Sequence, residues 1–363
     1  MTGIYKTEVF NLLKTFIQNR EQARLGKEAG LLRPWTKDPI IQTYRFCNVN
    51  RCDDKQTKWI LTNLVEKFPD SEDNSDNPLL WFNLVISRFL NWYPTMEELG
   101  MPFRKGWDPE KFVTTLDRRQ ERGEQLYSGA YMIRGEPGKA GDAKHHYLSE
   151  DVFTPLWRIR GEAPYGGDLD DWADFFNQIP VLRGNFMTNQ VITDMRYSSI
   201  LANAKDWRTF LLPGPGTRRG MNRLSGRDTQ DMKVSDSQIT YEVLQLRDSL
   251  QKLYENIDDL KYLVKVFEDP NNVSNCLCEL DKYCRVYYNE RARPKSKYPG
   301  EKEVSAEKSA SQVAAQTSDA ALAKQRAAAA KRPKIPCEIC GKLITKNGYS
   351  LHVASHTYPK RKH

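Results

Sequence analysis

The chain has 363 residues, of which 39% are hydrophobic and 28% charged, with a formal net charge of +8. That length gives one large domain or two smaller ones an ample core, and the lack of any apolar run of 18 or more residues excludes a membrane-spanning helix. The opening MTGIYKTEVF lacks the basic-then-apolar layout of a secretory signal, and seven cysteines without regular pairing fit an intracellular, reducing setting.

Charge is uneven along the chain. Residues 291–363 hold 16 Lys+Arg against 5 Asp+Glu, a net +11 that leaves about −3 for residues 1–290. A basic tail on a near-neutral body points to a polyanion, most often nucleic acid; the competing reading is a solvated tail.

Residues 4–27 predict a helix with Val9, Leu12, Leu13, Phe16 and Ile17 on one face. Asp38-Pro39 starts another, because Pro suits a first turn. Within that segment, YRFCNVNRCDDKQTKWI (Tyr44–Ile60) packs Arg45, Asn48, Asn50, Arg51, Asp53, Asp54 and Thr57 beside Phe46, Val49, Trp59 and Ile60 on a helix. Such polar density is costly to bury without partners, so these residues either satisfy one another across helices or line a pocket. Arg51 and Asp54, three apart, are also spaced to pair on a helix surface.

Residues 78–95 form a strongly apolar helix read as core, and 109–126 a more polar one. YSGAYMIRGEPGKAGDAKHHYL (Tyr127–Leu148) reads as a glycine-rich loop or short hairpin that matches neither a Walker loop nor a Rossmann fingerprint. His145-His146 reads as a surface pair, with no third metal ligand near in sequence. Residues 150–182 predict two short helices around the acidic Asp168–Asp174 turn.

QVITDMRYSSILANAKDWRTFLLPGPGTRRG (Gln190–Gly220) predicts two helical segments flanking the Leu212–Gly216 loop, with Pro213 stopping the first and a second restarting near Thr217. Gly214, Gly216 and Gly220 allow close backbone approach, and a helix N-terminus beside Arg218 and Arg219 can hold a DNA phosphate; a corner without ligand is the alternative. Asn189, Gln190 and Asp194 share a helix face. Residues 239–267 form an amphipathic helix, and SNCLCELDKYCRVYYNE a last core helix in which Cys276, Cys278 and Cys284 read as free thiols.

From Arg291 the composition turns to Ala, Lys and Ser, a flexible linker over 291–335. Residues 336–363 follow with Cys337-x2-Cys340-x11-His352-x3-His356, a spacing that predicts a ββα zinc finger folded by structural zinc. One finger reads about three base pairs, so it adds affinity more than address, and protein binding is the competing use. KRPK at 331–334 would suit a nuclear location in a eukaryote; a viral protein would act in host cytoplasm.

The L-P-G-x-G order resembles the helix-hairpin-helix loop of base-excision DNA glycosylases, with Pro215 where an apolar residue is usual. Residues 1–290 as a whole resemble the alpha-glutamyl/putrescinyl thymine pyrophosphorylases and the related helical domain of 5-hydroxymethyluracil DNA kinases. Four landmarks carry the match: the stretch from Trp35 to Ile60, SGAYMI from Ser128, the FMTNQVITDMRY…LLPGPGTRRG core, and CLCELDKYCR from Cys276. The resemblance implies a mainly α, glycosylase-like domain that acts on modified thymine in DNA, displacing pyrophosphate with a small amine or amino acid. It carries over Arg45, Asn48, Arg51, Asp54, Thr57, Gln190, Asp194, Gly214, Gly216, Gly220, Glu279, Lys282 and Tyr283. No Walker loop accompanies them, so the kinase half of the kinase relatives is absent.

In the resulting expectation the target base leaves the stack. Loop 212–220, with Thr217, Arg218 and Arg219, grips a phosphate, while Arg45 and Arg51 hold the pyrophosphate. Asp194 or Asp54 deprotonates the amine, and Asn48 and Gln190 read the pyrimidine edge. Two other readings stay open: a glycosylase using Asp231 or Asp236, and a non-catalytic reader of modified DNA.

Overall fold

The computed structural model describes residues 5–67, 78–128, 144–290, 296–298, 334–336 and 343–345. The body is mainly helical and has two hydrophobic cores. Helix α1 (Thr7–Glu28) buries the stripe of Val9, Leu12, Leu13, Phe16 and Ile17, as its periodicity predicts. The segment after Asp38 departs from the expected helix. Its α2 (Pro39–Thr43) is one turn, capped by the Asp38 carboxylate at Ile40 and Ile41. The chain then runs without regular structure to Asn50, forms a tight turn at Arg51–Asp53, and resumes as α3 (Lys55–Ile60) with a wider turn after it. Thus Arg45, Asn48 and Asn50 lie on irregular backbone, Arg51 and Asp53 on the tight turn, and Thr57 on α3.

The first core is aromatic. α4 (Pro78–Leu90) sits in its centre, with Trp81 and Phe82 edge-on to Trp172, Phe175, Phe176 and Phe153. The apolar run does not continue to residue 95: Asn91 adopts φ +46°, a left-handed conformation that asparagine tolerates, and ends α4. α5 (Tyr93–Glu98) and α6 (Pro109–Glu121) follow. After them come α7 (Lys144–Tyr147), α8 (Thr154–Arg158) and α9 (Leu169–Phe176). The acidic stretch is not a turn between helices; Asp168 and Asp171 form the capping box that starts α9. α10 (Asn185–Met195) closes this core with Val191, Ile192 and Met195.

The second core is more aliphatic. α1 packs there against α11 (Pro215–Leu224) and α14 (Pro270–Tyr287), and α12 (Asp236–Glu255) and α13 (Leu263–Val266) complete the core, with Leu246, Leu250, Leu277 and Leu280 buried in it. The expected single helix over 239–267 divides at Asn256. Beyond the body, β1 (Lys334–Pro336) and β2 (Leu343–Thr345) pair antiparallel on either side of the Cys337–Cys340 stretch. Cys337, Cys340, His352 and His356 themselves, most of the linker, and the loop 129–143 lie outside the described residues. Among the described residues no helix is long and apolar enough to cross a membrane.

Candidate functional site

The two cores meet along a buried polar seam. Arg88 projects from α4, and its guanidinium holds the Asp194 carboxylate of α10 through two contacts, Nε–Oδ2 at 2.6 Å and Nη2–Oδ1 at 2.5 Å. Both side chains are essentially inaccessible, Asp194 at 0% and Arg88 at 1% exposure. Arg88 also donates to Thr57 Oγ1 at 3.3 Å and to Asn91 Oδ1 at 3.1 Å. Asn91 in turn donates to Ser128 Oγ at 2.8 Å. Arg51 enters from the other side, donating to Gln190 Oε1 and lying 3.9 Å from Asp194 Oδ1. Two guanidiniums and a carboxylate out of water carry a large desolvation cost, which this dense hydrogen bonding offsets only in part.

Asparagines join the seam to the second core. The Arg51 backbone N–H donates to Asn272 Oδ1 at 3.0 Å, and Asn189 donates to Asn271 Oδ1 at 2.8 Å. Asn189 Oδ1 also accepts from the Leu212 N–H at 3.2 Å, so the proline-glycine loop abuts the seam at its first residue.

A second polar group adjoins Arg51. The Asn48 N–H donates to Asp54 Oδ1 at 2.9 Å, and Asn48 Oδ1 accepts from Arg20. Burial pushes the Asp54 carboxyl up to about 6, against the Asn48 N–H and the nearby Arg20 and Arg51, which favour its ionised form. Glu279 of α14 accepts from the Cys47 N–H at 3.2 Å and pairs with Lys282 at 2.6 Å. Burial works against the Lys282 ammonium, yet Glu279 overrides it and holds the pKa above the usual value. Thus Asn48, Arg51, Asp54, Thr57, Gln190, Asp194, Glu279 and Lys282 fall into two adjacent polar groups, and Arg51 and Asp54 lie at a tight turn and the cap after it rather than on a helix surface.

Other expected residues lie apart. Arg45 is exposed, its guanidinium 5.6 Å over the Tyr298 ring and its backbone bonded to Ser296. Tyr283 is a core residue that packs on Phe16 and Phe46 and donates to Asp38 Oδ2 at 2.7 Å.

The glycine loop is also built differently from the expectation. Residues 196–214 contain no helix, so Pro213 ends none, the helix-hairpin-helix arrangement is not formed there, and α11 starts at Pro215. Gly214 has φ −73°, and a Cβ there would meet the Phe186 ring at 3.2 Å. Gly216 and Gly220 face α14, where a Cβ would run into the Cys278 side chain and the Leu277 carbonyl. Spaced four apart on one helix face, they let α11 and α14 touch backbone to backbone. Thr217 is buried, its hydroxyl 2.6 Å from Ser274 Oγ. Arg218 bonds Asp236 and the Val234 carbonyl, and Arg219 bonds Asp281 at 2.9 Å. Through these contacts Gly216, Gly220, Thr217 and Arg218 hold helices together. The two acids of the glycosylase reading bond locally, Asp236 to Arg218 and Asp231 Oδ1 to the Lys233 N–H.

Arg88, Asn91 and Ser128 were not expected at the site. The available signal was a lone charged residue, Arg88, in the mostly apolar PLLWFNLVISRFL. The histidine pair also differs from its surface reading: His145 is buried, and both rings meet Asp117 of α6. Cys276 and Cys284 are buried free thiols, as expected, and Cys278 is a free thiol lying against Gly216.

A mainly helical domain with a buried arginine–carboxylate seam defines the structural class. Residues 7–293 match the family described as the helical domain of 5-hmdU DNA kinase, and the chain belongs to that family. It is 25% identical over 295 residues to a 5-hmdU DNA kinase of Bacillus phage SP10, covering 74% of this chain and 44% of that protein. The chain therefore spans less than half the length of the curated relative it matches. No solved structure matches it.

Proposed function

We propose that the helical body modifies a 5-hydroxymethyluracil-type base in DNA, and that the Arg51–Gln190–Asp194 seam with neighbouring Asp54 is its reaction site. One observation carries this reading: all four landmarks of the resemblance touch within these polar groups, through Arg51 and Thr57, Ser128, Gln190 and Asp194, and Glu279. An extruded base would carry its pyrophosphorylated methylene to Arg51, whose guanidinium fork suits phosphate oxygens. An amine nucleophile then forms a C–N bond at the methylene as the C–O bond to pyrophosphate breaks. The electron pair leaves with the pyrophosphate oxygen, and the amine proton passes to Asp54. Asp54 suits that role better than Asp194, because a carboxyl with a pKa of about 6 accepts a proton near neutrality while Asp194 is clamped by Arg88. The relative's name points to phosphoryl transfer onto the same base. The present sequence holds no Walker loop, so base handling rather than ATP chemistry is assigned to this body.

We further propose that Cys337, Cys340, His352 and His356 hold structural zinc in a tail module that binds DNA. The donor set suits zinc, and the β1–β2 pair brackets the two cysteines as a knuckle requires.

Nucleoside mass spectrometry tests the reaction. DNA carrying pyrophosphorylated 5-hydroxymethyluracil is incubated with the protein and either putrescine or an amino acid. A base whose mass reports amine in place of pyrophosphate supports transfer. An abasic site would mean excision, and unchanged DNA bound tightly would mean recognition only; either replaces the proposal.

A further inference from the structure

We infer that Asp117, His145 and His146 form a binding site for a divalent transition metal, independent of the tail cysteines and of the reaction assigned to the seam. The three residues come from two elements, α6 and the start of α7. His145 Nε2 lies 2.6 Å and His146 Nε2 3.1 Å from the same oxygen, Asp117 Oδ1. All three potential ligand atoms fall within 4.8 Å of one another. A metal with bonds of about 2.0–2.2 Å holds tetrahedral ligand atoms roughly 3.3–3.5 Å apart, so each imidazole nitrogen would move away from the Asp117 oxygen by some tenths of an ångström to admit one.

The supports are fixed. Phe112 and Leu116 anchor α6 in the aromatic core, and Leu148, Val152 and Phe153 anchor the chain just after the histidines. His145 is 1% exposed and forms the floor, while the side chains of His146 and Asp117 are each 39% exposed and leave a way in for an ion. Two imidazoles and one carboxylate favour zinc or a neighbouring first-row ion over calcium or magnesium, which prefer all-oxygen sites. Three protein ligands leave a coordination position for water. The site shares no residue with Arg51, Arg88 or Asp194, and bound metal would clamp α6 to α7.

Cobalt(II) distinguishes this site from the tail. In the full chain carrying Cys337→Ser and Cys340→Ser, equilibrium dialysis is expected to show bound Co²⁺ with visible d–d absorption, no sulfur-to-cobalt charge-transfer band, and a metal-dependent rise in Tm. Adding Asp117→Asn and His146→Ala should weaken binding by about tenfold or more and abolish the rise. Both replaced side chains are partly exposed, and circular dichroism checks that the helices persist. The inference is overturned if the cysteine variant takes up no Co²⁺, or if the further replacements leave affinity and spectrum unchanged in a folded protein.

Discussion

The Arg88–Asp194 seam and the α11–α14 seam are both buried and both carry landmarks of the family, yet they are made of opposite materials. In the first, ion pairs and amides are placed where desolvation is expensive and hydrophobic side chains of the same volume would pack at least as stably. In the second, Gly216 and Gly220 remove side chains so that two helices approach closely. Costly burial of charge is hard to explain by packing alone, whereas glycine at a helix crossing is explained by packing alone. The difference therefore directs the search for chemistry to the arginine seam.

The largest expected effect tests that seam. Arg88→Met leaves the Asp194 carboxylate buried without its clamp and should lower unfolding free energy by about 3–5 kcal/mol, read by urea denaturation. The paired replacement Arg88→Met with Asp194→Leu should recover much of that loss while base transfer stays abolished. A double variant that is both stable and active would reduce the seam to scaffold.

Next comes the glycine face. Gly220→Ala drives a methyl into the Leu277 carbonyl and should destabilise by about 1–3 kcal/mol. Gly214→Ala meets only the Phe186 ring, which can shift, and should do less. The salt dependence of DNA affinity should be unchanged in folded Gly220→Ala protein. A fall in affinity with stability intact would return the loop to phosphate binding.

Much of the frame was legible in the sequence. The buried stripe of α1, the helix start at Asp38-Pro39 and the apolar α4 follow from periodicity and side-chain chemistry. What was not legible came from tertiary context. Between Tyr44 and Asp54 the chain forms no α-helix; its irregular backbone is fixed by bonds with Glu279, Asn272 and Asn275 on α14. Local pattern contains no information about such distant partners. Arg88 was hidden because its neighbours are core residues, and Asp117 because it lies 28 residues from His145. The packing role of Gly216 and Gly220 was not legible because a phosphate and a neighbouring helix both require a missing Cβ.

Third is a pH effect. Burial raises the carboxyls of Asp38 and Asp54 to about 6 each. Each contributes stability that is full below its unfolded pKa of about 3.9 and is lost as pH rises through about 6. Within that window each group should add a slope of about −1.4 kcal/mol per pH unit. Asp54→Asn should remove its share and leave that of Asp38, as urea midpoints from pH 4 to 6.5 would show. The same variant should lose the acidic limb of the transfer rate, because the wild-type base becomes competent only as pH passes about 6. A limb surviving in Asp54→Asn would move the base elsewhere.

The smallest effect separates two arginines that the sequence treats alike. Arg45 and Arg51 lie in one landmark, and both suit a pyrophosphate, but Arg45 is exposed over Tyr298 while Arg51 reaches Gln190 and Asp194. Arg45→Ala should change stability by no more than about 0.5 kcal/mol, since it removes only a surface contact. Its kcat/KM should stay within about threefold of wild type, less than 1 kcal/mol of transition-state binding. Arg51→Lys keeps the charge but loses the planar fork, and should cost far more in kcat/KM than Arg45→Ala. If the order is reversed, the leaving group is held at the Tyr298 surface, and the buried seam serves only to join the two cores.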